Sequence, residues 1–409
     1  MDMVRNFHMA QGLGETSYAH NSRLQVVTEL LYLCNYFESS TYSISFLICL
    51  LFFFFFFFYC CMPPFSQMFQ KEIIETVMDI TLSSAMEACA AETAPAAVCI
   101  ADLRCSSGRN TLSVVESIIR AVCERRRKAT QQLPEFMVFL NDLPSNDFNA
   151  LFSLVPEFVQ NLKAEHDNGG GILVSVAGAP GSFYGRLFPS SSLHFITSFT
   201  SLQWLSQVPA GLLNKGDPIN KGNVYMSPAS PPSVVTRYFE QFQEDFSMFL
   251  RSRSQELVVG GRMVLSMLGR RSHDIHKKIN EFPLYEALSK SLSIFVSQKL
   301  VAEEKVDSFN FPIYTPSTQE LEDQVYREGS FTINSMKQYY KDWMFENAPN
   351  MLSKTFRAAN ESFICHHFGE EIIEPLFETH TQVLYERLMA GEDIGLCQIT
   401  VVLCKSATR

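Results

Sequence analysis

The sequence predicts an α/β fold built on an open, largely parallel sheet, and three stretches carry that prediction. From Ala96 to Asn110, AAVCIADLRCSSGRN is a short apolar run that ends in Asp102 and then breaks into Cys, Ser, Ser and Gly. It reads as a buried strand delivering an acidic residue to a turn that opens a helix near Thr111. The pattern returns in FMVFLNDLPSNDFN (136–149), which ends a strand in Asn141 and Asp142, and in GILVSVAGAPGSFYGRLFP (171–189), whose turn holds Ser182 and Phe183. Open parallel sheets bind ligands at the carboxyl ends of their strands. Three polar strand ends in succession therefore predict one crevice, with a carboxylate suited to ribose hydroxyls and an aromatic ring suited to a purine.

Composition agrees. With 409 residues, 46% hydrophobic and 19% charged, the chain can bury one large core with an appended cap. A net charge of −10 argues against nucleic acid, whose phosphates it would repel. The dense basic cluster ERRRK (124–128) falls where a helix should end, where cations complement the helix C-terminus on a solvated face. Eleven cysteines form no CxxC spacing, which fits reduced thiols and a cytoplasmic location.

In chain order, Lys71 to Ala90 carries Ile73, Ile74, Val77, Met78 and Leu82 at helical spacing, a core-facing helix. After the three strand-end motifs, Ser192 to Pro209 has Phe195, Phe199, Leu202, Trp204 and Leu205 at a roughly helical spacing. Residues 211–232 are rich in Gly, Pro, Asn and Ser and predict a loop. Val235 to Leu257 follows as a helix, Gly261 to Gly269 as a buried strand, Phe282 to Val301 as a helix, and Leu396 to Cys404 as the last strand.

Four segments together resemble the plant carboxyl and N-methyltransferases known by the acronym SABATH: HMAQGLGETSYAHNSRLQ (8–25), NDLPSNDFN, PGSFYGRLFP and DSFNFPIYTPS (307–317). The resemblance covers residues 1–25 and about 71–409. It implies a Rossmann-like class I methyltransferase sheet with a helical cap over the substrate pocket, and transfer of a methyl group from S-adenosylmethionine to a small carboxylic acid of the salicylate, benzoate, anthranilate or jasmonate type. The residues it implies for the cofactor are Tyr18, Ser22, Asp102, Cys105, Asn110, Asp142, Leu143, Ser182 and Phe183. Those for the substrate are Gln25, Thr200, Gln203, Trp204, Phe282, Tyr314 and Phe356, with Leu396 as a further apolar contact. Asn220, Asp307, the backbone of Phe309, and Asn310 match positions assigned to Mg²⁺ in parts of the family, and a metal-free polar turn is the other reading of them. Many carboxyl-methylating relatives have Lys where this chain has Ala10. In the cofactor turn Arg104 and Arg109 replace a Gly and a Pro, and a side chain at the glycine position crowds the ligand or strains a positive φ.

The implied layout is an active-site lid at 1–25, a cofactor-binding core at 71–270, a mainly helical cap at 271–361, and the last helix and strand of the core at 362–409. Between lid and core, residues 26–70 fall outside the family pattern. Ile44 to Met62 is apolar and long enough to span a bilayer. It lacks a Lys/Arg bias on either flank and interrupts a lid that must sit beside the site. A pyrimidine tract encoding Phe52 to Phe58, a codon for Val26 beginning with GT, and a codon for Gln70 that can end with AG have the form of an intron. Deleting 26–70 joins SRLQ to KEIIETV, as relatives read. The segment is thus read as a retained intron, with a membrane helix as the second reading. Three alternatives stand beside the main one: a xanthine-type N-methyltransferase, a non-catalytic member of the family, and a membrane-tethered protein. A homodimer is compatible with the sequence.

Overall fold

The computed structural model describes residues 65–89, 96–164, 172–274 and 282–407. The described residues begin with helix α1 (Phe65–Cys89), followed by β1 (Ala97–Leu103), α2 (Arg109–Lys128), β2 (Glu135–Asn141), α3 (Phe148–Ser153), α4 (Val155–Ala164) and β3 (Val174–Gly178). After β4 (Leu193–Phe199) comes a small hairpin, β5 (Leu213–Asn214) and β6 (Asp217–Pro218), and then the long pair α5 (Pro232–Glu256) and β7 (Leu257–Leu268). The last part runs α6 (Pro283–Ser297), α7 (Glu303–Asp307), α8 (Thr318–Glu328), β8 (Phe331–Lys341), α9 (Ala348–Phe368), α10 (Ile373–Met389) and β9 (Leu396–Lys405).

Seven strands form one sheet in the order β3-β2-β1-β4-β7-β9-β8. The five from β3 to β7 run parallel, while β9 pairs antiparallel with β7 on one side and β8 on the other. The expected α/β sheet is therefore present. The strand order reverses between β1 and β4, the kind of switch point where open α/β sheets leave a crevice.

Both faces of the sheet are covered. On one, the helices α1 and α2 seal Val98, Ile100, Val115, Ile118 and Val138. On the other, α5 and α8 pack Tyr238, Phe242, Phe249 and Leu321 against Met263 and Leu265. A third cluster, including Leu288, Phe309, Phe356, Leu376 and Leu384, holds α6, α9 and α10 together as the cap. The central strands β1, β4, β7 and β9 are buried on both faces over most of their length, which is why their sequences read as apolar runs rather than as alternations.

Three local expectations need correction. Residues 193–199 are strand β4, not part of a helix: Phe195 and Phe199 only happen to be spaced like one, and Thr200, at φ 56°, turns the chain out of the sheet. Strand β8 lies inside 271–361 yet belongs to the sheet, and α10, expected with the core, packs on the cap helices α6 and α9. The basic cluster does close α2, but Arg126 is buried. Its guanidinium donates to the carbonyls of Cys89 and Gln132, tying the end of α1 to the end of α2.

Inside the cap, His380 of α10 is fully buried and bridges two neighbours. Its Nε2 lies 2.9 Å from the Leu284 carbonyl of α6 and its Nδ1 2.9 Å from Ser353 Oγ of α9. A carbonyl can only accept, so Nε2 carries the proton, and burial lowers the imidazole pKa from 6.5 to about 4. Between those values the unfolded chain binds a proton that the folded one refuses. Stability is thus full above about 6.5 and falls as pH drops towards 4. Denaturant titrations should show this loss, and His380→Gln should show less of it.

Candidate functional site

The carboxyl ends of β1, β2 and β4 border a crevice of about 970 Å³ at the switch point, open to solvent. β1 delivers Asp102 to its floor. The carboxylate, 6% exposed, accepts from the hydroxyls of Thr111 on α2 and Thr197 on β4, the latter at 2.7 Å. Burial raises its pKa to about 6 against the lowering effect of those two bonds. The two hydroxyls hold the Asp102 carboxyl in place.

Asp142 follows β2 and is fixed by the loop after β1: Oδ2 accepts from Ser106 N at 2.8 Å, and Oδ1 from its neighbour Leu143 N at 2.8 Å. Cys105 N in turn donates to the Asn141 carbonyl at 2.9 Å, so the two strand ends are laced together by backbone bonds. Cys105 and Asn110 line the same crevice, and burial pushes the Cys105 thiol well above its ordinary pKa.

Arg104 sits between these groups. Its φ is 66°, a left-handed conformation that glycine adopts freely and an arginine adopts at a cost. The side chain turns inward. Its Nη1 lies 3.5 Å from Asp142 Oδ1, and the guanidinium stands 5.8 Å from the Phe183 ring centroid. Desolvation lowers its pKa while the Asp142 carboxylate works in the opposite direction. Beyond Arg104 the crevice continues as a second recess of about 430 Å³ lined by Leu143, Ser182 and Phe183. The guanidinium thus partitions one groove into two, occupying the space between the carboxylate and the aromatic ring. Arg109, the other departure in this turn, is exposed and forks onto Glu157 at 3.0 and 3.3 Å, away from the crevice.

The Ser182–Phe183 turn has a buttress that the sequence did not announce. Arg253 and Glu256, at the end of α5, form a fully buried pair with contacts of 2.7 and 3.0 Å. Arg253 also donates to the carbonyls of Phe183 and Gly185, and Glu256 accepts from Leu187 N and Phe188 N. Four of the backbone groups between Phe183 and Phe188 are thus held by two desolvated charges.

A third cavity, of about 930 Å³, lies under the cap. Thr200, Gln203, Trp204, Phe282 and Phe356 all line it, together with Leu396. The structure adds Thr355, Ala359 and Asn360 from one face of α9, which no motif marked. Trp204 is stacked on Phe363 with ring centroids 5.7 Å apart and planes 1° from parallel, and its carbonyl accepts from Tyr184 Oη. This indole forms part of the wall of all three spaces.

Tyr314 does not reach the cap cavity. It stacks on Phe242 of the core and donates its hydroxyl to Glu320 at 2.9 Å, while its neighbours Ile313 and Thr315 take the cavity wall. An antiparallel bridge between Trp204 and Ile313 sets which residue faces in.

The oxygen-rich set closes on itself. Asn220 Nδ2 donates to Asn310 Oδ1 at 2.7 Å, Asn220 Oδ1 accepts from Ser230 Oγ at 2.7 Å, and Asp307 Oδ1 accepts from Gly222 N at 2.8 Å. Mg²⁺ asks for near-octahedral oxygen ligation, and here the amide oxygens of Asn220 and Asn310 are already spent on hydrogen bonds. These residues do not fit the ion as they stand, and they serve instead to fasten the 220–230 loop to 307–310. Tyr18, Ser22 and Gln25 lie outside the described residues, as does Ile44 to Met62. Among the described residues no helix is long and apolar enough to cross a membrane.

The site can be set beside known proteins. The profile of the SAM dependent carboxyl methyltransferases matches residues 66–406. A probable jasmonic acid carboxyl methyltransferase of Theobroma cacao is 40% identical over 404 residues, 95% of each chain. The salicylate carboxymethyltransferase of Clarkia breweri is 41% identical over 419 aligned positions, spanning all of both chains. Among solved structures, a loganic acid methyltransferase with SAH superposes with a TM-score of 0.73 at 33% identity, covering 84% of this chain and 96% of that one. Fold, strand-end crevice and sequence agree, and the chain belongs to the S-adenosylmethionine-dependent carboxyl methyltransferases of the plant SABATH family.

Proposed function

We infer that this protein methylates a small carboxylic acid of the salicylate, benzoate, anthranilate or jasmonate type, releasing the methyl ester and S-adenosylhomocysteine. What carries the reading is the wall shared by Thr200, Trp204 and Ala359, which sets a polar crevice at the strand ends against a largely apolar cavity under the cap. S-adenosylmethionine, when bound, supplies a methyl group on a sulfonium. A carboxylate oxygen forms the new O–CH₃ bond as the S–CH₃ bond breaks, and the electron pair of that bond stays on sulfur. No proton moves, so the site needs no general base. Its residues act by alignment and by keeping water from the acid, effects worth about 7 to 11 kcal/mol in well-oriented reactions.

In this reading Asp142 takes the ribose hydroxyls and Phe183 the adenine face, with Leu143 and Ser182 beside them. Asp102, Cys105 and Asn110 line the remainder, Tyr18 and Ser22 close over the cofactor, and Gln25 holds the acid's carboxylate. Asp142→Ala should weaken S-adenosylhomocysteine binding roughly 10- to 100-fold, the loss of a charge-assisted hydrogen bond, as measured by calorimetry. Unchanged affinity would remove Asp142 from the site. The reaction itself is tested by radiolabelled methyl transfer to a panel of acids and xanthines. A xanthine N-methyltransferase would take the heterocycles and ignore the acids. A protein that binds S-adenosylhomocysteine yet methylates no acid would end the carboxyl methyltransferase reading.

The same reading places the enzyme in the cytoplasm and treats residues 26–70 as intronic. Mature transcripts should lack codons 26–70. Transcripts that retain them, with the protein in the membrane fraction, would establish the membrane-tethered alternative instead.

A further inference from the structure

Besides α6, its N-cap Phe282 and α9, four chain segments line the cap cavity: 200–204, 268–269, 313–315 and 396–397. Backbone bonds tie them together in pairs. Tyr314 N donates to the Gln203 carbonyl at 2.8 Å, and Gly269 N to the Cys397 carbonyl at 3.0 Å. Arg270, one residue past the second pair, fastens it to the first. Its N donates to the Pro316 carbonyl at 3.0 Å and its Nη1 to the Thr315 carbonyl at 2.6 Å. Its own carbonyl accepts from Gln338 Nε2 of β8 at 3.0 Å, and the same amide donates to Cys397 Sγ at 3.2 Å. Glu320, in the first turn of α8, completes the knot. Oε1 accepts from Arg270 Nη2 and from the Tyr314 hydroxyl, the latter at 2.9 Å, and Oε2 accepts from Ser317 N at 2.9 Å.

Neither charge lines the cavity, and at 2% and 6% exposure both are withdrawn from water. Two apolar residues of the same volume would serve stability as well as such a pair does. They could not hold the Thr315 carbonyl and the Tyr314 hydroxyl at set distances, whereas a planar guanidinium facing a carboxylate fixes direction as well as distance. We propose that Arg270 and Glu320 are positioning residues for the acid: without touching it, they set where Ile313 and Thr315 stand relative to Leu268 and Leu396, and so which acids the cavity accepts. This rests on the carboxyl methyltransferase reading and adds to it residues that act on the acid through the wall.

The test uses the full chain and three variants, read by S-adenosylhomocysteine binding and by KM and kcat for benzoic, salicylic and jasmonic acids. Arg270→Met removes the charge and the bond to the Thr315 carbonyl, Arg270→Lys restores the charge without the planar fork, and Tyr314→Phe removes a single hydroxyl. Arg270→Met should raise KM roughly 10- to 100-fold for at least one acid and change the order of preference, since a displaced wall is felt in proportion to the contact each acid makes with it. Its affinity for S-adenosylhomocysteine should stay close to that of the unaltered protein, because neither Arg270 nor Glu320 lines the crevice or its recess. Arg270→Lys should fall between the two, and Tyr314→Phe should shift the ratio of KM values between jasmonic and benzoic acid about three- to tenfold, the effect of one lost hydrogen bond. A merely structural role would shrink the folded fraction and lower kcat for every acid alike, leaving KM values and their order intact. That result in the variants that bind S-adenosylhomocysteine overturns the proposal, and if Arg270→Met does not fold, Tyr314→Phe and Arg270→Lys decide it. Methylation of no acid by the unaltered protein overturns the carboxyl methyltransferase reading as well.

Discussion

Replacing Arg104 by glycine should tighten S-adenosylhomocysteine binding by roughly 10- to 100-fold and raise methyl transfer. In the ligand-free protein the Arg104 guanidinium lies 3.5 Å from Asp142 Oδ1 and 5.8 Å from the centre of the Phe183 ring. A nucleoside that reaches from that carboxylate to that ring must first displace it. Both partners of the ion pair are largely shielded from water, so separating them costs on the order of 1 to 3 kcal/mol, which the ligand must recover elsewhere. Glycine removes the competitor, joins the two recesses, and relieves the φ of 66° at about 1 to 2 kcal/mol. Titration calorimetry on both proteins checks this. Equal affinities would mean that the guanidinium leaves the groove at no cost, and weaker binding by the glycine variant would mean that Arg104 itself contacts the cofactor.

Glu256→Ala should be among the most destabilising single changes in the core, by about 3 to 5 kcal/mol. It strands the Arg253 guanidinium without a counter-charge at a fully buried position and leaves the amides of Leu187 and Phe188 without an acceptor. Thermal unfolding should fall by several degrees. Because Arg253 holds the Phe183 and Gly185 carbonyls, the variant should also lose cofactor affinity at temperatures where it remains folded. The double change Arg253→Met, Glu256→Leu removes both charges and should recover part of the stability. It should not restore binding, since the backbone groups of the Ser182–Phe183 turn would still lack partners. Full recovery of affinity in the double variant would show that the pair serves only the interior.

What the sequence disclosed and what it withheld divide along a physical line. The strands bearing Asp102 and Asn141 were legible because a largely buried strand is an apolar run, and each ended in turn residues that made its boundary visible. Strand β4 was misread for a related reason: with both faces buried there is no alternation to separate it from a helix, and its aromatics fell at intervals of four. Edge strand β8 has mixed exposure and no continuous apolar run, so nothing distinguished it from the surrounding helical cap. Thr355, Ala359 and Asn360 reach the cap cavity from successive turns of α9, and small residues on a helix carry no local mark of lining a cavity. Tyr314 shows the finest limit. Whether it or Ile313 faces the cavity is decided by a one-residue register against Trp204, a contact more than a hundred positions away in sequence. That Arg104 replaced a glycine was readable, while the destination of its guanidinium depended on Asp142 and Phe183 meeting across the sheet.

The position of β9 has a consequence for biosynthesis. Leu396–Lys405 is the last of the described strands in chain order, yet it does not join the sheet at an edge: it inserts between β7 and β8, antiparallel to both. While the nascent chain is still tethered, β7 must wait with one edge unpaired and β8 has no sheet to join, both hazards for intermolecular pairing. Vectorial folding can assemble the β3-to-β7 half with its helices, but closure of the sheet must wait for β9. A chain truncated shortly before Leu396 would keep every other described strand and still leave a strand-wide gap in the sheet, with β8 cut loose from it while α8 stays packed on α5.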